Sequence, residues 1–163
     1  MSEAAQNTQP VFSIEKVYVK DLSLEIPNAP QIFLEREAPQ VDIQLHHNTN
    51  GVEEGVYQTV LTVTVTAKVK DKTMFLVEAA QAGIFVVRNV PPQELEAVLS
   101  IACPNILFPY VREVVSDVVV RAGFPPVVLS PVNFEAIYQA QRDSQAQVEA
   151  APPVQIITPT VSH

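Results

Sequence analysis

Across residues 56–87 apolar and polar side chains alternate over the longest strand-like stretch in the chain. Tyr57, Thr59, Leu61, Val63, Val65, Ala67 and Val69 fall on one parity, and Gln58, Val60, Thr62, Thr64, Thr66 and Lys68 on the other. A period of two with one richer face predicts a half-buried strand. Lys70, Asp71 and Lys72 make a polar turn, and the return strand carries Phe75, Val77 and Ala79 on one side and Leu76, Glu78 and Ala80 on the other. Both of its faces are largely apolar, so it needs cover twice, either from the chain's own helices and another layer or from a partner subunit.

Upstream, residues 11–26 read as a strand, with Phe12, Ile14, Tyr18, Leu22, Leu24 and Ile26 on one parity and Ser13, Glu15, Asp21, Ser23 and Glu25 on the other. Val17 and Val19 break the polar row. Pro27 and Pro30 end this strand, because proline cannot donate to a ladder. Val41, Ile43 and Leu45 then alternate with Asp42, Gln44 and His46 in a second, short strand, followed by Asn50-Gly51 and a loose connection through residues 52–55. Four strands result, all expected to be antiparallel.

The helical half begins at Pro91-Pro92, with Glu94 and Glu96 suited to the positive end of the helix dipole. Leu95, Val98, Leu99 and Ala102 mark its apolar stripe. Pro104 is expected to interrupt the helix and Asn105 to cap a restart; Ile106, Leu107, Tyr110, Val111, Val114, Val115, Val118 and Val119 then keep helical spacing up to Gly123. Many of these are β-branched, and a propensity deficit of a few tenths of a kcal/mol each must be recovered by burial, worth about 1.5–3 kcal/mol per side chain. Residues 124–131 (FPPVVLSP) predict an extended segment along a groove, and Asn133 predicts the cap of a last helix bearing Phe134, Ile137, Tyr138 and Gln141 on one face. Residues 1–10 read as a mobile arm and 150–163 as a disordered tail, which leaves one domain over 11–149.

Composition narrows the functions. A chain of 163 residues can bury a core without metal or disulfide staples. The net charge of -8, with ten scattered Lys and Arg, argues against nucleic acid and against an anionic membrane surface. The single Cys103 excludes an intrachain disulfide, residues 1–10 hold no apolar export segment, and no run approaches the roughly 18 apolar residues that span a bilayer. The expected compartment is the cytoplasm. Four glycines supply no phosphate-binding loop. Cys103 lies in an apolar helical run and reads as core, while period-two geometry sends His46 and His47 to opposite faces with no further ligand cluster. No enzyme, metal or cofactor is expected.

The exposed positions that recur combine acid with apolar surface. Asp21, Ser23 and Glu25 share one parity of the first strand and Leu76 and Glu78 one parity of the last, so a shared face can present carboxylates around an apolar spot. Such a face is either ordinary solvated surface or a docking patch for a basic partner, whose binding would be salt-sensitive.

CPNILFPY at 103–110, with Lys20-Asp21, IPNAP at 26–30, QAGIF at 81–85 and PVNF at 131–134, resembles the bacterial protein-export chaperone family SecB, in order from about residue 11 to 141. The resemblance implies an α+β subunit, a four-stranded antiparallel sheet with helices packed on one face, assembled as a homotetrameric dimer of dimers. It implies an ATP-independent holdase that keeps secretory precursors unfolded and passes them to the SecA motor. By the family pattern Asp21, Glu25, Leu76 and Glu78 dock SecA; Val41, Ile43, Leu45, Phe75, Leu95 and Tyr110 line the client groove, with residues 124–129 as a wall; Val77, Ala79 and Gln81 form the tetramer contact. Family members often carry Trp before the proline at 39, where this chain has Glu37-Ala38 and no Trp anywhere, so a smaller aromatic surface around Phe33 and Phe75 is implied. The alternative is a structural assembly subunit with one fixed partner. Keeping several unrelated unfolded polypeptides soluble without nucleotide separates the two.

Overall fold

The alternating stretch folds as the expected antiparallel pair, β3 (Val56–Val69) and β4 (Lys72–Arg88), in the computed structural model, which describes residues 7–150. Lys70 and Asp71 between them take φ of 50° and 64°, the left-handed geometry of a two-residue hairpin turn. β1 (Val11–Glu25) pairs with β4 and β2 (Gln40–Glu53) with β3, giving an antiparallel sheet in the order β1-β4-β3-β2. β2 is longer than the sequence suggests. Asn50 and Gly51 lie inside it, opposite Gln58 and Tyr57, and the turn falls at Glu54-Gly55 instead. Gly55 provides the positive φ of 74° that the turn needs, and an added Cβ there would meet the Arg88 side chain at 2.8 Å.

Register shows why the first strand has blurred parity. Shifts between Ile14 and Lys16 and between Val19 and Asp21 insert two β-bulges. Each bulge adds one residue and inverts the alternation. Phe12, Ile14, Val17, Val19, Leu22 and Leu24 therefore all stand opposite odd residues of β4, from Val87 to Val77. Ser13, Lys16, Tyr18, Asp21, Ser23 and Glu25 stand opposite its even residues, on the other face.

Helices cover the odd face. α1 (Pro92–Ala97), a π turn (Val98–Ala102) and α2 (Cys103–Arg121) form one run of 30 residues, Pro92–Arg121. Pro104 does not interrupt it. The π turn precedes the proline, with Cys103 N–H reaching back to the Val98 carbonyl, and this wider turn accommodates the ring that a regular α-turn would crowd. By length and composition the run is apolar enough to cross a membrane, contrary to the sequence expectation. Its apolar character here serves packing, because Cys103, Leu107, Val111, Val115 and Val119 are fully buried and α2 lies on β3 and β4. Tyr110, assigned to the same stripe, is instead 51% exposed on the outer side.

β1 reaches β2 by a crossover containing the 3-10 turn Gln31–Leu34, anchored by Asn28 Nδ2 donating to the Thr73 carbonyl at 2.9 Å and by the buried Ile32. After α2, α3 (Phe134–Ala150) starts as expected: Asn133 Oδ1 accepts the Ala136 N–H at 3.0 Å, and Phe134 and Tyr138 are buried. Gln141, expected on the same face, is exposed. Of the expected arm and tail, residues 1–6 and 151–163 lie outside the described residues. Asn89 Nδ2 donates to the carbonyls of Asn7 and Gln9 at 3.0 and 2.9 Å.

Val77, Ala79 and Gln81 lie under α2 at 0%, 1% and 4% exposure. Their side chains are enclosed by their own chain, so the fold presents none of the three, expected as tetramer contacts, on its surface. Val77→Asp is expected to lower the unfolding free energy by about 4 kcal/mol or more, since a carboxylate would be buried without a partner. Urea unfolding measures this, and a midpoint matching the parent would place Val77 at a surface.

Candidate functional site

At the hairpin end of the sheet Val41, Ala67 and Phe75 stand in one row across β2, β3 and β4 on the helix-bearing face. Ala67, between its larger neighbours, is fully buried. The end of α2 closes one side of the row. There Gly123 N–H bonds the Val120 carbonyl at 3.0 Å and Phe124 N–H the Val119 carbonyl at 3.2 Å, with Gly123 at φ 92°, a Schellman arrangement. The cap aims Phe124 back at the sheet, where its ring lies 5.0 Å from Phe33 and 5.0 Å from Phe75. Each such aromatic pair contributes about 0.5–1.5 kcal/mol beyond simple burial. A cavity of about 430 Å³ opens over these rings, walled by Pro39, Val41, Met74 and residues 124–127.

Glu35 and Glu37 stand on its rim. Lys70, on the β3–β4 turn, lies 3.5 Å from a carboxylate oxygen of each. Glu35, then Glu37, raises the Lys70 ammonium above its ordinary pKa, and because the lysine is fully exposed this is a surface attraction open to screening by salt.

The six expected groove residues do not form one groove. Val41 and Phe75 meet in the cavity, and Ile43 and Leu45 continue the Val41 row along the same face of β2, opposite Val65 and Val63. Leu95 lines a separate cavity of about 510 Å³ with Tyr57, Val87 and Arg88. That cavity lies at the far end of the sheet, 12 residues along β4 from Phe75, or roughly 40 Å at the usual rise per residue. Tyr110 lines neither. Sequence reasoning missed the Glu35–Lys70–Glu37 rim. The signal for the Phe124 contact was there, in a glycine ending a long helix followed by an aromatic and two prolines.

On the opposite face register brings the four acidic-patch residues together. Glu25 stands beside Leu76, Ser23 beside Glu78 and Asp21 beside Ala80, while Thr66 and Thr64 flank Leu76 and Glu78 from β3. Asp21, Glu25 and Glu78 are exposed and Leu76 half-buried. Three carboxylates around one apolar side chain, on neighbouring strands about 5 Å apart, make a compact anionic surface.

Buried reactive groups lie elsewhere. Cys103 is fully enclosed, and burial pushes its thiol up to about 12, offset in part by a hydrogen bond with Thr59. His46 and His47 sit on opposite faces, opposite Thr62 and Leu61. No cluster of three or more metal-ligating side chains occurs among the described residues.

Residues 5–145 match the family described as preprotein translocase subunit SecB. The chain is 64% identical over 148 residues to the protein-export protein SecB of Methylobacillus flagellatus, covering 91% of this chain and 94% of that one. It is 66% identical over 152 residues to that of Nitrosospira multiformis, covering 93% and 94%. Among solved structures, the fold is similar to a SecB-like chaperone of Mycobacterium tuberculosis, solved with a peptide from the HigA1 antitoxin, with a TM-score of 0.62 at 16% identity, covering 74% of this chain and 90% of that one.

Proposed function

Because the chain belongs to the SecB family of preprotein translocase subunits, we propose that it is a protein-export chaperone, an ATP-independent holdase of the cytoplasm. It keeps secretory precursors unfolded and delivers them to the SecA motor. The observation that supports client holding is the open aromatic cavity at Phe33, Phe75 and Phe124, continuous with Val41 and Ile43 on an edge strand. Val41 and Ile43 are 42% and 45% exposed, and the outer ladder of β2 has no neighbouring strand. An extended segment can place apolar side chains against the row and bond its backbone to that edge, which requires no particular client sequence. Folded proteins are passed over because they offer few such segments.

Each contact of this kind is weak. A segment held at micromolar strength gains about -8 kcal/mol, and several grooves on one assembly gripping the same chain raise avidity by roughly 10² to 10⁴. Assembly is the expected homotetramer, a dimer of dimers. Its support is the apolar row on β1, where Phe12, Ile14, Val19, Leu22 and Leu24 are 37–48% exposed on an unpaired edge, a surface that a second copy would cover.

SecA docks on the acidic face at Asp21, Glu25, Leu76 and Glu78, and it is the motor that uses ATP. This chain hydrolyses nothing; client release comes from the motor's competing hold.

Two substitutions test the division of labour. Glu78→Lys is expected to weaken SecA binding by about 10-fold or more while client capture stays at the parental level; equal SecA affinity by calorimetry would remove the acidic face from the site. Ile43→Arg, which sets an unpaired charge in the apolar row, is expected to impair capture and leave SecA binding intact. Undiminished suppression of precursor aggregation by that variant would place the client elsewhere.

A further inference from the structure

We infer that His47 is a proton-operated latch for α3, holding the helix against the sheet when neutral and releasing it when charged. His47 follows Val41, Ile43 and Leu45 on the helix-bearing face of β2. Its ring lies edge-on to Phe134, the first residue of α3, at 6.1 Å. Its Nδ1 is buried and has no hydrogen-bond partner. Whichever nitrogen carries the proton in the neutral ring, the cation must have an N–H at Nδ1, and in the docked arrangement that N–H meets no acceptor. Leaving it there costs the desolvation of a charged donor, and moving Phe134 aside removes that cost.

The helix is held through few side chains, so that one such group bears on a large share of its contacts. Phe134 and Tyr138 are its only buried residues, Ile137 is half-buried, and every residue from 139 to 150 is exposed. The charged and titratable groups around the latch do not rescue the cation. On β2 itself His46 opposes it, and on β3 the facing residue is the uncharged Leu61. On α2, Phe108 packs edge-on against Phe134 at 6.2 Å, and the charged group on that ring, the Arg112 guanidinium 5.8 Å from the Phe108 centre, is a cation and supplies no acceptor. On α3, Glu135 is exposed and does not counter the shift. Burial first, then His46, lowers the His47 pKa from 6.5. The docked state therefore binds fewer protons than the open one, and docking weakens as pH falls from 6.5 toward the lowered value.

Opening would uncover the face of β2 from Leu45 to His47 and the Phe134 ring, extending the apolar row at mild acidity. This consequence, unlike the latch, rests on the client-groove reading.

Hydrogen exchange of the full chain, at pH 7.5 and 5.0 and corrected for intrinsic rates, tests the latch with α2 as an internal reference. Exchange over residues 134–141 is expected to rise severalfold, by at most about tenfold per pH unit of linked protonation, while α2 is unchanged. His47→Phe is expected to remove the pH response, and His47→Arg to exchange rapidly already at pH 7.5. An unresponsive α3 in the parent, an undiminished response in His47→Phe, or a parental rate in His47→Arg at pH 7.5 would each overturn the latch. If α3 opens but capture of an unfolded precursor at pH 5.5 does not increase, the extension of the client surface is overturned and the latch stands.

Discussion

The pleat of β4 is the constraint on which the rest depends. Its odd residues from Phe75 to Phe85 are buried beneath the helices, whereas Leu76 and Glu78 face the other way. A slip of one residue would exchange Val77, Ala79 and Gln81 for Leu76, Glu78 and Ala80, burying a carboxylate and exposing the core. The register is therefore held firmly, by Leu107, Val111 and Val115 of α2 on one side and by the paired strands on both edges. Gly83 sits under this contact: a Cβ there would come within 2.7 Å of Phe85 and 3.0 Å of Leu107. The bulges of β1 serve the same requirement, since they return its apolar residues to the odd face along 15 residues of strand.

This also explains what the sequence reveals and what it hides. Period two was legible in β3 and β4 because both strands are regular for most of their length, and the grouping of Asp21, Glu25, Leu76 and Glu78 followed from parity alone. Val17 and Val19 looked like noise because bulges leave no composition signal of their own. Asn50-Gly51 carried a strong turn signal that lost to Gly55, which sits where the strand register closes. Pro104 looked like a break because a π turn upstream cannot be read from spacing. The groove was the least legible feature. Leu95 and Tyr110 were joined to it by resemblance, while the contact that shapes it, Phe124 on Phe33 and Phe75, brings together three segments distant in sequence.

The centre of the molecule is closed and its edges are open. Thr59, fully buried, bonds Thr49 at 2.9 Å and meets Cys103, so its hydroxyl is satisfied within the sheet. At the edges Phe12, Ile14, Val41 and Ile43 remain 42–48% exposed. Such surface invites self-association, which the net charge of -8 opposes by mutual repulsion. A holdase needs this balance: apolar area available to a client, on a scaffold rigid enough that the area persists when no client is present.

The central claim is that opposite faces of one sheet carry the two tasks, client holding on the helix-bearing side and motor docking on the acidic side. Titrating SecA by calorimetry into the protein, alone and saturated with a short unstructured client peptide, tests it most directly. SecA affinity is expected to be the same within about twofold in the two titrations, with a ternary complex formed. Loss of SecA binding on peptide saturation, by about tenfold or more, would mean that the two partners compete for one surface and would contradict the separation of faces.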